Sequence, residues 1–243
     1  MEKVLLILGA SSDIGIDYLS RYHSNYDHVI AQYCTNGNEL EKFHEKIGNK
    51  IDLYKVNLLD ESEVALFLSK IREKNRIPQF IIFLPAQKTQ LLRIEETESQ
   101  LLIDAMMLQV VSSFAIVKYF VPDMFSEGWG RICFMLSSVT EQVVTYNLPY
   151  VVSKYALLGE MKALALELAS KSILVNAVSP SMVDTKYIAE VSDFVKKKKI
   201  SASPMKRLVE KSEISRTIEF LISEENTYIT GENIVISGGS VIP

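Results

Sequence analysis

Tyr150 and Lys154 stand at i and i+4 in Tyr150-Val151-Val152-Ser153-Lys154, the spacing that puts two side chains on one face of a helix. A free phenol titrates at about 10. An ammonium beside it favours the phenolate, so Tyr150 would exchange a proton near neutral pH, as acid in one direction and base in the other. Upstream, the run from Gly130 to Leu136 reads as a buried strand delivering Ser137 and Ser138 to its carboxyl end, where a hydroxyl can hydrogen-bond a substrate oxygen. Alone, the pair reads as an exposed amphipathic pair, and Ser138 has a plain role as a turn residue.

The elements that must hold these groups follow from the apolar pattern. Short apolar runs at Val4 to Leu8, His28 to Tyr33, Ile51 to Val56, Phe80 to Leu84, Arg131 to Leu136, Ile173 to Val178 and Asn233 to Ile236 alternate with segments of helical period. Runs apolar at nearly every position fit strands covered on both faces, which predicts an α/β fold, a doubly wound parallel sheet of about seven strands with helices on both sides. Leu148 to Ala169 reads as one helix carrying Tyr150 and Lys154. No linker or repeat divides residues 1–243, and that length suits one domain.

The first strand runs into Gly9-Ala10-Ser11-Ser12-Asp13-Ile14-Gly15 and then a helix, the place where backbone N–H groups and the helix dipole would receive a dinucleotide pyrophosphate. A plain tight turn also explains two glycines. The second strand ends in Gln32-Tyr33-Cys34-Thr35-Asn36, without the acid that holds ribose hydroxyls in NAD enzymes. Thr35 and Asn36 can donate to a 2′-phosphate, so NADP(H) is preferred over NAD(H), although no arginine clamp is visible.

Gly9 to Gly15 resembles the Gly-xxx-Gly-x-Gly loop of the short-chain dehydrogenase/reductase family, and the resemblance extends through Ser137, Tyr150 and Lys154 to the loop from Val175 to Thr185 and the closing segments around Pro204, Gly231 and Gly238-Gly239. The closing pattern is similar to the 3-oxoacyl-[acyl carrier protein] reductases. The resemblance implies a Rossmann-type fold with Ser137, rather than Ser138, as the catalytic serine. It implies cofactor contacts at Gly9, Ser11, Ser12, Asp13, Ile14, Gly15, Tyr33, Thr35, Asn57, Leu58, Pro85, Ala86 and Pro180, with Val183 and Thr185 facing the nicotinamide carboxamide. It also implies a substrate flap at about 184–205, self-association through the segments Met106 to Val121 and Tyr155 to Leu168 into a homodimer or homotetramer, and a basic contact for an acyl carrier at Lys171.

Several positions depart from the family pattern. Asp13 replaces the middle glycine of the loop; a carboxylate about 5 Å from a phosphate would cost on the order of 1 to 3 kcal/mol, and a helix-capping role for it is the favoured expectation, with an outward turn as the alternative. Leu84-Pro85-Ala86-Gln87 replaces Asn-Asn-Ala-Gly after the fourth strand, Asn57-Leu58 replaces an Asp-Val pair, and Ser181 a glycine. Gln109 falls at the family's fourth catalytic residue, an asparagine that holds a water leading to the lysine. It would either serve that path or satisfy a buried backbone group.

A net charge of −4 with both signs dispersed argues against nucleic-acid binding. Cys34 and Cys133 are far apart, and His23, His28 and His44 all lie early, so neither a disulfide framework nor a metal site is expected. The apolar run ending at Gly9 is too short for a secretory or membrane segment, and a cytoplasmic protein is expected. Lys196 to Lys199 reads as a solvated face inside the flap, where it could also meet an acidic carrier or pantetheine phosphate. Tyr187, Ile188, Val191, Phe194 and Val195 would meet an apolar substrate portion or close the core. The expected activity is NADP(H)-dependent reduction of a small-molecule or carrier-bound carbonyl, foremost a 3-oxoacyl thioester. The alternatives are a steroid, sugar or polyol dehydrogenase, or a dinucleotide-binding interaction protein without turnover.

Overall fold

Leu5 and Ile7 of β1 (Val4–Leu8) pack into one apolar cluster while Leu6 and Leu8 pack into another, and all four are fully buried. Successive side chains of a strand point to opposite faces, so an uninterrupted apolar run is what a sheet with two covered faces requires. The computed structural model describes residues 2–88 and 90–242; Met1, Thr89 and Pro243 lie outside them. β2 (His28–Tyr33), β3 (Ile51–Lys55), β4 (Phe80–Phe83), β5 (Gly130–Met135), β6 (Ile173–Pro180) and β7 (Asn233–Ile236) join β1 in one sheet of order β3-β2-β1-β4-β5-β6-β7, with every pairing parallel. The expected seven strands are present. β6 runs on through Pro180 because Ser179 and Pro180 still pair with Val235 and Ile236.

On one face, α3 (Glu61–Glu73), α5 (Ser112–Glu127) and α6 (Leu148–Leu168) bury Phe67, Phe120 and Leu157 against Phe83 and Phe134. On the other, α1 (Asp13–Tyr22), α2 (Asn38–Ile47) and α8 (Lys211–Ile222) bury Tyr18, Leu40 and Ile218 against Val29 and Ile82. Strand order reverses between β1 and β4, and the crevice beyond the carboxyl ends at such a point is where α/β sheets take ligands.

α4 (Ser99–Met106) and α5 are joined by a π-helical turn, Met107–Val111. The resulting span Ser99–Glu127 is long and apolar enough to cross a membrane; its inner face packs on the sheet through Ile116, Val117, Phe120 and Met124, while Ile103, Val111, Phe114 and Phe125 remain exposed. Within the flap the chain forms a 3-10 turn, Lys186–Ile188, and then α7 (Asp193–Ala202), which carries Lys196 to Lys199 on its outside.

Candidate active site

Leu136 bonds across to Val178, and the next residue, Ser137, stands in extended backbone at the carboxyl end of β5. Its hydroxyl accepts from the Val139 amide at 3.4 Å and stands close enough to the Tyr150 phenol to act on its pKa. Ser138 opens the following turn, its carbonyl receiving the amides of Glu141 and Gln142. Pro149 stands in the first turn of α6, where a missing N–H costs nothing, and Tyr150 and Lys154 follow on one face.

Lys154 is fully buried. Its ammonium donates at 2.7 Å to the Met135 carbonyl and at 2.7 Å to Gln109 Oε1, with Nζ 5.7 Å from the centre of the Tyr150 ring. Burial pushes the Lys154 pKa down to about 7. The phenol responds differently from the sequence expectation: burial raises the Tyr150 pKa, and the Ser137 hydrogen bond only opposes that rise. The ammonium is turned toward two carbonyl-type oxygens, so in the free protein desolvation outweighs it and Tyr150 holds its proton.

Gln109, itself buried, sits in the π-turn and uses both ends of its amide. Oε1 receives Lys154, and Nε2 donates to the Pro85 carbonyl at 2.6 Å. One end of the amide thus meets the lysine directly and the other satisfies a backbone carbonyl. The carbonyls loosened by the π-turn are met by hydroxyls: Ser112 donates to Leu108, and Ser113 to Gln109 and Val110. Ser113 also lies 2.9 and 3.0 Å from the two Glu160 carboxylate oxygens, and burial pushes the Glu160 pKa up to about 7. Ser113 and Glu160 escape sequence reading because nothing local distinguishes them.

The phosphate loop has the geometry of a dinucleotide cradle. Gly9 has φ +73° and lies against the backbone at Pro85, and a Cβ on Gly15 would meet the Ala10 carbonyl oxygen at 2.5 Å. The first-turn amides of α1 at Asp13 and Ile14 have no carbonyl within the helix to bond, and they point at the crevice end. Ser12, not Asp13, caps α1, its hydroxyl accepting from Gly15 at 3.1 Å. This corrects the capping role expected of Asp13, whose carboxylate instead reaches across the crevice to the Lys186 amide and lies 3.8 Å from Lys186 Nζ. A partner 173 positions away outcompetes the local cap.

Around the crevice the remaining candidates are brought close. Ser11 donates to the Thr35 carbonyl at 2.9 Å, drawing the end of β2 onto the loop, and the Tyr33 ring covers Gly37. Gln32, which sequence reading passed over, is buried and links the Gly9 amide to the Val56 carbonyl. Asn57 spends its Oδ1 on the Leu59 amide, and the Leu58 side chain belongs to the hydrophobic core, so only its backbone can face a cofactor. Pro85 and Ala86 follow β4, while Pro180 ends β6 and Val183 and Thr185 follow it, Val183 being buried and paired with Val209.

Beside Tyr150 opens a narrow cleft lined by Gln87, Lys88, Leu92, Thr97, Leu101, Ala105, Gln109, Asn147, Pro149 and Ser153. The flap residues Tyr187, Ile188, Val191, Phe194 and Val195 are not among its walls. Ile188 is buried, whereas Tyr187, Phe194 and Val195 are exposed. The loop after β4 and α4 shape the cleft instead.

Comparison with known proteins agrees with this geometry. A short-chain dehydrogenase family model, described as enoyl-(acyl carrier protein) reductase, matches residues 9–240. The chain is 30% identical to the 3-oxoacyl-[acyl-carrier-protein] reductase FabG of Thermotoga maritima, over 99% of this chain and 98% of that protein. It is 27% identical to the uncharacterized oxidoreductase YmfI of Bacillus subtilis over 98% and 99% of the two chains. Among solved structures, a putative gluconate dehydrogenase from Agrobacterium tumefaciens superposes with TM-score 0.91 at 18% identity, covering 98% and 95%. ElxO with NADP bound superposes with TM-score 0.87 at 24% identity, covering 99% of each chain. With the fold, the Ser137, Tyr150 and Lys154 assembly and these matches in hand, the chain belongs to the short-chain dehydrogenase/reductase family of oxidoreductases.

Proposed function

We propose that this oxidoreductase reduces the ketone of a 3-oxoacyl thioester to the 3-hydroxy product with NADPH. The observation that carries the reading is the Tyr150 phenol in the wall of a cleft, with Ser137 close enough to lower its pKa and Lys154 buried behind the ring. When bound, the dinucleotide supplies the hydride to the carbonyl carbon. The residues fit it: a positive-φ glycine and a glycine that admits no Cβ shape its phosphate cradle. Tyr150 donates a proton to the carbonyl oxygen as charge develops there, and Ser137 holds that oxygen by a hydrogen bond. Lys154, with its pKa near neutrality, returns a proton toward the phenol between turnovers, and Gln109 fixes its position.

NADP(H) over NAD(H) is part of the proposal, supported by the lack of a carboxylate between Tyr33 and Asn36. The thioester reading is supported by full-length likeness to a 3-oxoacyl reductase at 30% identity. Lys171 and the lysines of α7 would meet the acidic carrier or its phosphate. We further propose a cytoplasmic homodimer or homotetramer, with the exposed Phe114 and Phe125 of α5 and Val152, Tyr155 and Leu166 of α6 covered by a second copy. Nucleic acid and membrane have no part in this reading.

NADPH oxidation measured against acetoacetyl thioester, steroid, sugar and polyol-derived ketones tests the reading. Turnover greatest with the thioester, and reduced on the order of a hundredfold or more in Tyr150→Phe, is the expected result. Cofactor binding without turnover across the panel would overturn it in favour of a binding protein.

A further inference from the structure

We propose that Asp13 is a positioning residue that latches the flap to the phosphate loop, holding the 3-10 turn at Lys186 closed over the cofactor crevice. Its carboxylate is not spent locally, since Ser12 supplies the cap of α1. Its side chain is only 12% exposed. One oxygen accepts the Lys186 backbone amide, and the other lies 3.8 Å from the Lys186 ammonium. That ammonium reaches on to Glu39 in the first turn of α2 at 2.5 Å. The contact is charge-assisted and directed at a backbone group, so it fixes the path of the chain immediately after Thr185.

The same turn is fastened at its other edge. Tyr187 donates to the Gln87 carbonyl at 2.9 Å, and Lys88 pairs with Glu190, both partners lying on the loop after β4 that walls the cleft. The flap thus spans the crevice from α1 to the β4 loop, and Asp13 is the fastening on the phosphate side. Lys186 has a second effect there: by neutralising Asp13 it lowers the repulsion a carboxylate would otherwise exert on a bound diphosphate.

The inference deepens the proposed cofactor reading, but its test does not require turnover. Hydrogen–deuterium exchange of the cofactor-free full chain, read on peptides covering 184–195, is compared for wild type, Asp13→Gly and Asp13→Asn, with the melting curve recorded for each. Asp13→Gly is expected to speed flap exchange about tenfold while exchange in β1 and α6 is unchanged. Asp13→Asn keeps an oxygen acceptor for the Lys186 amide and is expected to retain most of the protection. The companion readout is kinetic: the cofactor KM rises about tenfold in Asp13→Gly, and Asp13→Asn recovers most of the change. Flap exchange equal in wild type and Asp13→Gly would overturn the latch. So would Asp13→Asn behaving like Asp13→Gly, because the charge and not the amide bond would then be responsible. Failure of the latch leaves carbonyl reduction standing, and failure of turnover leaves the exchange result readable.

Discussion

Gln109 and Lys154 meet directly, Oε1 receiving Nζ at 2.7 Å, and the same glutamine is anchored to the loop after β4 through the Pro85 carbonyl. The lysine is therefore positioned by a side chain that is itself tied to the cofactor wall. Gln109→Ala removes both bonds and leaves a buried ammonium with one acceptor fewer. The expected result is a kcat lower by on the order of tenfold, a cofactor KM changed less, and an alkaline limb of the pH–rate profile displaced to lower pH as the Lys154 charge loses support. Gln109→Asn, one methylene shorter, should fall between. A profile and kcat identical to wild type in Gln109→Ala would remove Gln109 from the site.

Lys154 gives a second expectation, for stability rather than rate. Burial lowers its pKa in the folded protein to about 7 from 10.5, so between those values the unfolded chain binds the proton that the folded one has released. Stability from this group rises with pH across that window, from about 7 toward 10, and is at its lowest below 7. Thermal melting of wild type and Lys154→Met should show the difference moving in favour of wild type by a few degrees as pH rises from 7 to 9.5. A difference independent of pH would contradict the lowered pKa. Glu160 is common to both proteins and cancels from the comparison.

Gly15 tests the packing of the phosphate loop. A Cβ there would lie 2.5 Å from the Ala10 carbonyl oxygen and 2.8 Å from its carbon, and backbone on both sides leaves nothing flexible to yield. Gly15→Ala is expected to cost about 1 to 3 kcal/mol of stability and to weaken nucleotide binding more than it lowers melting, since the loop must shift away from the helix. Calorimetric titration with NADPH and a denaturant melt measure the two. Unchanged binding would mean that the cofactor does not rest on this loop.

Much of the fold and of the site is legible in the sequence, and the reasons are local. The strands announce themselves because both faces of Val4–Leu8 and its neighbours are buried, leaving no polar alternation to confuse with a helix. Tyr150 and Lys154 are legible because four residues on a helix fix their relative direction. The unreadable part consists of contacts between distant segments: Asp13 with Lys186, Gln109 with Pro85, Ser113 with Glu160. Asp13 has a credible local role as a cap, and only tertiary placement decides against it. Desolvation was equally hidden, which is why the phenol of Tyr150 is raised where the adjacent lysine suggested the opposite. The π-turn too has no signature, since Met107-Leu108-Gln109-Val110-Val111 is ordinary helix composition.

That turn has a bearing on how such a chain diversifies. It accommodates one residue more than an α-helix would over the same rise, so the two halves of Ser99–Glu127 are rotated relative to each other by about 100°. Leu101 and Ala105 therefore face the cleft while Ile116 and Phe120 keep their seats in the interior. Loss of a single codon between Met107 and Val111 would swing the cleft-facing half through that angle and leave the sheet-facing half undisturbed. An insertion or deletion in this turn is therefore expected to re-aim the cleft wall at Leu101 and Ala105, as a substitution there would reshape it.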